Sequence, residues 1–99
     1  MTSAGAVDFR AVSVGGLRPV WFALDPTSED PISRWMITHG EIHDPPQRLA
    51  AGLTGPGARV VDVGAHLGTF TLSLAALGAE IIAIEGSPHN ARLLAQSVE

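Results

Sequence analysis

The sequence contains no cysteine and no apolar run that approaches the length of a membrane span. Without cysteine, the chain cannot form a disulfide scaffold, a thiolate zinc site or a cysteine nucleophile. A bilayer is crossed by about 20 consecutive apolar residues, so we expect no membrane span. The first residues, MTSAGAVDFR, lack the apolar segment of a signal peptide. These absences predict a cytoplasmic protein.

Basic residues are also few. Six Lys and Arg stand against ten Asp and Glu, which gives a formal net charge of −4. No basic block is present to follow a phosphate backbone or an anionic membrane, so we expect neither nucleic acid nor membrane as a partner. The hydrophobic fraction of 45% is high enough for a folded chain. The length of 99 residues corresponds to one small domain.

The first half of the sequence predicts a β-hairpin followed by two short helices. Residues 7–24 form two runs of β-forming residues around Gly15 and Gly16, which accept the positive φ angles of a tight turn. Asp30 and Pro31 are typical of the start of a helix. We expect this helix to have Ile32, Trp35 and Met36 on one face and to end at Gly40.

A second helix start is predicted at Asp44, with Pro45 at its first position and Gln47 in the place of a capping-box partner. Leu49 and Leu53 are expected to form the apolar side of this helix. We assign residues 1–56 to an N-terminal extension.

The second half alternates strands and helices. Residues 59–63 and 80–85 are short β-branched runs typical of buried parallel strands. Between them, a helical stripe is followed by Gly78 as a helix-ending residue. Ser87 and Pro88 predict a last helix. The apolar residues of the two helices are Leu67, Phe70, Leu74 and Leu77, and Ala91, Leu94, Ala95 and Val98.

This order predicts an α/β fold with a right-handed crossover between parallel strands. Both strands are apolar on both faces, so we expect helices above and below them. An open doubly wound sheet normally has five or more strands. We therefore interpret residues 57–99 as the first, incomplete βαβα unit of a Rossmann-like sheet, and the chain as the N-terminal part of a longer protein that folds poorly alone.

The chemistry is expected at the carboxyl edge of these two strands. Asp62 and Glu85 end neighbouring strands, and Gly64 and Gly68 frame the loop between the first strand and its helix. Ligands of doubly wound sheets bind at this edge, where an acid at the end of the second strand accepts hydrogen bonds from a ribose diol. The glycines would let bare backbone N–H groups approach the ligand.

The loop sequence favours one cofactor class over another. A dinucleotide fingerprint needs a middle glycine for the pyrophosphate, and His66 occupies that place here. An acid just before the loop, Asp62, suits a positively charged ligand such as a sulfonium better than a phosphate. A nucleotide-dependent oxidoreductase is therefore disfavoured.

The string Asp62-Val63-Gly64-Ala65-His66-Leu67-Gly68-Thr69-Phe70-Thr71 resembles the first motif of class I S-adenosylmethionine-dependent methyltransferases, specifically the FkbM-like family. That family's pattern is D-V-G-A-N/H-x-G-x-F/Y-T, followed by a strand ending in Glu and a helix opening with N/S-P. Ile84-Glu85 and Ser87-Pro88 match the later part. The resemblance covers about residues 57–97.

The resemblance implies a cofactor site and a reaction. Asp62, Gly64, Ala65 and Gly68 would shape the pocket for the methionine half of S-adenosylmethionine, with His66 over the same loop. Glu85 would bind the ribose hydroxyls, and Gly86 stands where the family most often has proline. The family methylates oxygen on sugars, macrolides or other small metabolites. Its base and substrate-binding residues would lie mostly beyond residue 99.

Several residues have structural interpretations beside the functional ones. Asp62 is open to a role in bracing the loop, Glu85 to being a solvated strand-end acid, and His66 to packing against the helix. Trp21 and Trp35 are expected to pack in the core or hairpin, and His89 to be exposed.

The stretch from His39 to His43 has the spacing of a zinc motif only superficially. Its Glu is one place late, and Gly40 would break the helix, so we expect no metal site. The second functional hypothesis for the whole chain is a catalytically inactive truncated fragment that acts only as a binding or interaction module.

Overall fold

The computed structural model describes residues 6–42 and 45–98, which together form five strands and four helices. They belong to two sheets, one of order β2-β1-β3 and one of order β4-β5, so the fold is mixed α/β. In chain order, the elements are β1 (Asp8–Val14), β2 (Val20–Leu24), α1 (Pro31–His39), β3 (Glu41–Ile42), α2 (Pro45–Leu53), β4 (Arg59–Val63), α3 (Thr69–Ala75), β5 (Glu80–Ile84) and α4 (Pro88–Ser97).

The predicted hairpin is confirmed. Strands β1 and β2 pair antiparallel, with Asp8 opposite Leu24, and both glycines of the turn have positive φ angles. Strand β3 was not expected. It has only two residues, which is too short to show a period of its own, and it pairs parallel with Ser13 and Val14.

Helix α1 begins and ends where the sequence predicts. The Asp30 carboxylate accepts a hydrogen bond from the Ser33 N–H at 2.9 Å, and Gly40 ends the helix in the left-handed conformation. The predicted apolar face is only partly correct, because Met36 is buried while Ile32 and Trp35 are exposed. Ser33 takes the second buried position instead.

Helix α2 forms at the predicted place, but its apolar side is not a buried side. Leu49 and Leu53 are 68% and 81% exposed. The proposed caps cannot be compared, because Asp44 and the side chain of Gln47 lie outside the described part of the chain.

The parallel pairing of β4 with β5 is confirmed, with Arg59 opposite Glu80 and Val63 opposite Ile84. The helix between them is shorter than the predicted stripe, so Leu67 precedes it and Leu77 follows it. In α4, Leu94 is buried as expected, while its buried neighbour is Leu93 rather than Ala95 or Val98, which are exposed.

The two faces of the β4–β5 sheet differ. One face carries the opposed pair Val60 and Ile81, both half-buried on the side of α3. The other face is open among the described residues, and its four apolar side chains are 50–75% exposed: Val61, Val63, Ile82 and Ile84. The sequence predicted helices on both faces of this sheet. Among the described residues, a helix covers only the face on the side of α3.

One hydrophobic core includes residues from both halves of the chain. Phe22, Leu24 and Met36 belong to the same buried cluster as Leu67 and Leu93. Polar contacts add to the junction, because the Ser97 hydroxyl accepts a hydrogen bond from the Ala23 N–H at 2.8 Å. Helix α4 therefore packs against the hairpin as well as following β5. The boundary after residue 56 stays a prediction.

Among the helices of the described residues, none has both the length and the apolarity that a bilayer crossing requires.

Candidate functional site

The loop after β4 is tied to the end of β5. Because the two strands are parallel, both reach the same edge of the sheet. The Ile84 carbonyl oxygen accepts hydrogen bonds from the N–H groups of Gly64 at 2.8 Å and Ala65 at 3.0 Å. The next N–H group, that of His66, donates to Oε1 of Glu85 at 2.6 Å. The structure therefore brings the predicted loop and the predicted acid together.

Glu85 has a second backbone donor. Its Oε2 accepts a hydrogen bond from the Ser87 N–H at 2.9 Å. The Ser87 and His66 N–H groups together lower the pKa of the Glu85 carboxyl below its ordinary value. The side chain is partly exposed and ionised at neutral pH. An ionised carboxylate at this edge can accept hydrogen bonds from a hydroxylated ligand.

Asp62 lies on the α3 side of β4, where its Oδ2 accepts a hydrogen bond from the Thr71 hydroxyl at 2.7 Å. Asp62 is half-buried and Thr71 is buried. The carboxylate therefore braces strand β4 against helix α3, a structural role different from the loop bracing that the sequence suggested. Asp62 and Glu85 thus have separate partners, although they lie near the ends of paired strands.

His66 has a φ of +58°, the left-handed conformation that non-glycine residues seldom adopt. This conformation accompanies the 2.6 Å hydrogen bond from its backbone N–H to Glu85. Sequence reasoning missed this backbone feature. The signal was available in the residue type, because His is one of the non-glycine residues that are enriched in the left-handed region.

The structure gives different reasons for glycine at the positions that the sequence predicted for the site. Gly64 has a φ of +74°, and a Cβ atom there would meet no atom within 4 Å. Gly68 has a φ of +102°, and a Cβ atom there would lie 2.5 Å from Cδ1 of Leu94. The absent side chain of Gly68 therefore permits packing of α3 against α4. Gly86 faces open space, and Ala65 is buried in the core.

The expectation that this loop offers bare backbone N–H groups is wrong for four of its residues. The N–H groups of Gly64 and Ala65 donate to Ile84, that of His66 to Glu85, and that of Gly68 to the Ala65 carbonyl at 3.0 Å. An anion would have to compete with these bonds. The loop is therefore a poor phosphate cradle.

Two open grooves flank this part of the fold. The larger has a volume of about 470 Å³ and lies beside β4 between α2 and α3, with Asp62 and Thr71 in its wall. The second, of about 350 Å³, is lined by Glu85, Ala83 and residues of α4, and also reaches Thr71. The side chain of Thr71 thus borders both grooves.

The remaining chemically interesting residues lie elsewhere. The rings of Trp35 and His39 stack at 3.8 Å between centroids, and both side chains are exposed. Trp21 lies in strand β2 of the hairpin and is also exposed, so neither tryptophan packs in the core. His89 is exposed, as predicted, and its Nε2 lies 3.3 Å from Oδ2 of Asp25.

Within residues 6–42 and 45–98, no three His, Asp or Glu side chains are grouped to hold a metal. The motif between His39 and His43 is only partly described. Its Glu41 lies in β3, and His43 falls outside the described residues.

The chain matches no protein-family model, and no curated protein is significantly similar to it.

Proposed function

We propose that the chain carries the cofactor-binding part of an S-adenosylmethionine-dependent methyltransferase that acts on a hydroxyl group of a small metabolite or sugar. The observation that carries this proposal is the placement of Glu85. Its ionised carboxylate lies just beyond β5, bonded to the loop that follows the parallel neighbour β4. The sequence around this geometry is the string that resembles the FkbM-like family.

The hydrogen-bond acceptors and the negative charge at the site suit an adenosyl sulfonium ligand. A ribose diol needs hydrogen-bond acceptors, and Glu85 is an ionised acceptor at the strand end. The positive sulfonium is favoured by nearby negative charge, which the ionised Glu85 supplies. When bound, the cofactor supplies a methyl group activated by that sulfonium. Asp62 would act by fixing β4 against α3 through Thr71.

The other proposed site residues have narrower roles. Gly64 and Gly86 would leave room for the ligand, because a Cβ at either position would meet open space. The His66 side chain belongs to the same loop. Gly68 and Ala65 would shape the pocket indirectly, since Gly68 allows α3 to pack on Leu94 and Ala65 is part of the core.

A dinucleotide-dependent oxidoreductase is less compatible with this loop. A pyrophosphate is normally bound by free N–H groups of a glycine-rich loop and of the helix that it opens. Here the N–H groups of residues 64, 65, 66 and 68 already have acceptors within the chain. The cytoplasmic location expected from the sequence remains part of the proposal.

Calorimetric titration with S-adenosylmethionine and, separately, with NAD tests the cofactor class. We expect heat of binding with S-adenosylmethionine alone. Glu85→Ala should weaken that binding by about tenfold or more, because hydrogen bonds to a charged acceptor are lost. Glu80→Ala is the matched control, because Glu80 lies at the other end of β5, where its exposed side chain forms an ion pair with Arg59. Binding of NAD in preference to S-adenosylmethionine would overturn the proposal.

The second candidate is an interaction module without catalysis. The open face formed by Val61, Val63, Ile82 and Ile84 favours it, because exposed apolar patches mark surfaces that bind partners. A folded protein that binds no adenosyl cofactor, and whose Glu85→Ala variant behaves like the wild type, would favour this second candidate.

A further inference from the structure

We infer that Glu85 is a positioning residue for the loop of residues 64–68, in addition to any contact that its carboxylate makes with a ribose. This inference rests on the proposed function for its ligand. The structural part of the inference does not depend on a ligand, because the Glu85 carboxylate itself joins the loop after β4 to the start of α4.

The loop depends on the β5 end for three successive hydrogen bonds. Ile84 provides the acceptor for Gly64 and Ala65 through its carbonyl oxygen, and Glu85 provides the acceptor for His66. The first two hydrogen bonds share one backbone acceptor, which is present whatever side chain follows. The third bond exists only because the side chain at position 85 carries an acceptor oxygen. The conformation of His66 is therefore the part of the loop that side-chain chemistry controls.

His66 is also the residue whose backbone needs such control. Its φ of +58° is unfavourable for a residue with a Cβ atom, so an isolated loop would seldom adopt it. A charge-assisted hydrogen bond of 2.6 Å to Glu85 offsets that preference. Gly64, which lies in the same loop and also has a positive φ, adopts this conformation without steric strain because glycine has no Cβ atom.

The other oxygen of Glu85 fixes the start of α4. It accepts from the N–H of Ser87, whose hydroxyl in turn accepts from the Asn90 N–H at 3.3 Å and caps the helix. The carboxylate is thus held between two backbone donors that belong to different segments. A carboxylate has about four acceptor positions, and the Asn90 side chain is a third donor that helps to lower the pKa of Glu85, so about one position remains for a ligand hydroxyl. Binding and loop positioning are compatible in the same group.

Backbone amide exchange measured by NMR tests the structural part without any ligand. In Glu85→Gln, the amide nitrogen of the new side chain cannot accept one of the two N–H bonds. We expect at least one of the two amides, His66 or Ser87, to exchange about tenfold faster or more, namely the one that faces the new amide nitrogen. The Gly64 and Ala65 amides, which donate to Ile84, should keep their protection. Glu80→Gln is the control and should change none of these rates, since its side chain is exposed and remote from the loop.

A titration of the wild-type protein covers the case in which Glu85→Gln fails to fold. The amide proton shifts of His66 and Ser87 should follow one common acid titration with a midpoint below 4.5, because both report the protonation of Glu85. Unequal midpoints, or exchange rates that are the same in Glu85→Gln and Glu80→Gln, would overturn the inference.

The ligand part is tested with S-adenosylhomocysteine and its 2′,3′-dideoxy analogue. The dideoxy analogue lacks the ribose hydroxyls. If Glu85 acts only by binding those hydroxyls, Glu85→Gln will leave the affinity for the dideoxy analogue unchanged, and this result would refute the positioning role toward the ligand. We expect the variant to lose affinity for both. If the wild-type protein binds neither compound, the proposed function fails, and the exchange rates alone decide whether Glu85 positions the loop.

Discussion

Replacing Gly68 with alanine should be among the most damaging single-methyl changes in this protein. The added Cβ would lie 2.5 Å from Cδ1 of Leu94 and 3.1 Å from Cγ of Leu72. Overpacking of a well-packed site costs about 1–3 kcal/mol. The φ of +102° adds strain of about 1–2 kcal/mol for any residue with a Cβ atom. We therefore expect the free energy of unfolding to fall by roughly 2–5 kcal/mol.

The assay is thermal or urea unfolding followed by circular dichroism. For a domain of this size, each kcal/mol lowers the Tm by about 4–8 °C, so a loss of roughly 10 °C or more is expected. Gly86→Ala is the matched control, because its φ is not positive and its Cβ would meet nothing within 4 Å. That variant should unfold within about 0.5 kcal/mol of the wild type.

A second substitution separates the steric cost from the backbone cost. Leu94→Ala removes the atom that the new Cβ would strike, although it leaves a cavity of its own. In the double variant Gly68→Ala/Leu94→Ala, the steric clash should be relieved. The free energy of unfolding that the double variant loses should therefore be smaller, by about 1–3 kcal/mol, than the summed losses of the two single variants. Strict additivity, or a Gly68→Ala variant as stable as Gly86→Ala, would refute the packing explanation.

Three further outcomes are expected. Thr71→Val should cost about 1–3 kcal/mol in urea unfolding, because it leaves the half-buried Asp62 carboxylate without its donor, whereas Thr71→Ser should restore most of the loss. Because the pKa of Glu85 is lowered in the folded state, its stabilisation is complete above pH 4.5 and disappears as the pH falls through the folded pKa, so Glu85→Gln should flatten the acid limb of Tm against pH. Val63→Ala should cost less than about 1 kcal/mol, since Val63 is 75% exposed, whereas Leu67→Ala, at a side chain 1% exposed, should cost about 2–5 kcal/mol.

Each of these outcomes has a direct contradiction. Equal stabilities of the valine and serine variants at position 71 would remove the bond to Asp62 from the stabilising contacts. An unchanged acid limb in Glu85→Gln would show that other carboxylates, such as Asp25, dominate there. A Val63→Ala variant as unstable as Leu67→Ala would show that the exposed sheet face is covered in solution.

The sequence was sufficient for the elements that local chemistry determines. Gly15 and Gly16 predicted the hairpin turn, and Asp30 with Gly40 predicted both ends of α1. The parallel pairing of β4 and β5, which places Glu85 at the loop, followed from the alternation of strands and helices. These features depend on residues close in sequence or on topology rules that few folds break.

Burial could not be predicted in the same way, because it depends on which element lies opposite. Leu49 and Leu53 have the spacing of an apolar helix side and are nevertheless exposed. Leu93 is buried because α4 packs against β2, and these two elements are about 70 residues apart in sequence. The spacing of apolar residues within a helix does not predict a contact over that distance. The loop conformation was hidden for a similar reason, since the left-handed φ of His66 is stabilised by Glu85 from another strand.

The stack of Trp35 on His39 determines what the intrinsic fluorescence of this protein reports. The chain has two tryptophans, and both lie in the N-terminal half, on β2 and α1. The His39 ring lies 3.8 Å from the indole at an interplanar angle of 21°, so it covers one face of the Trp35 fluorophore. Emission from Trp35 should therefore report whether the last turn of α1, which carries His39, is folded. Intrinsic fluorescence is thus an optical reporter of α1, and NMR or calorimetry is the direct reporter of ligand binding beside Glu85.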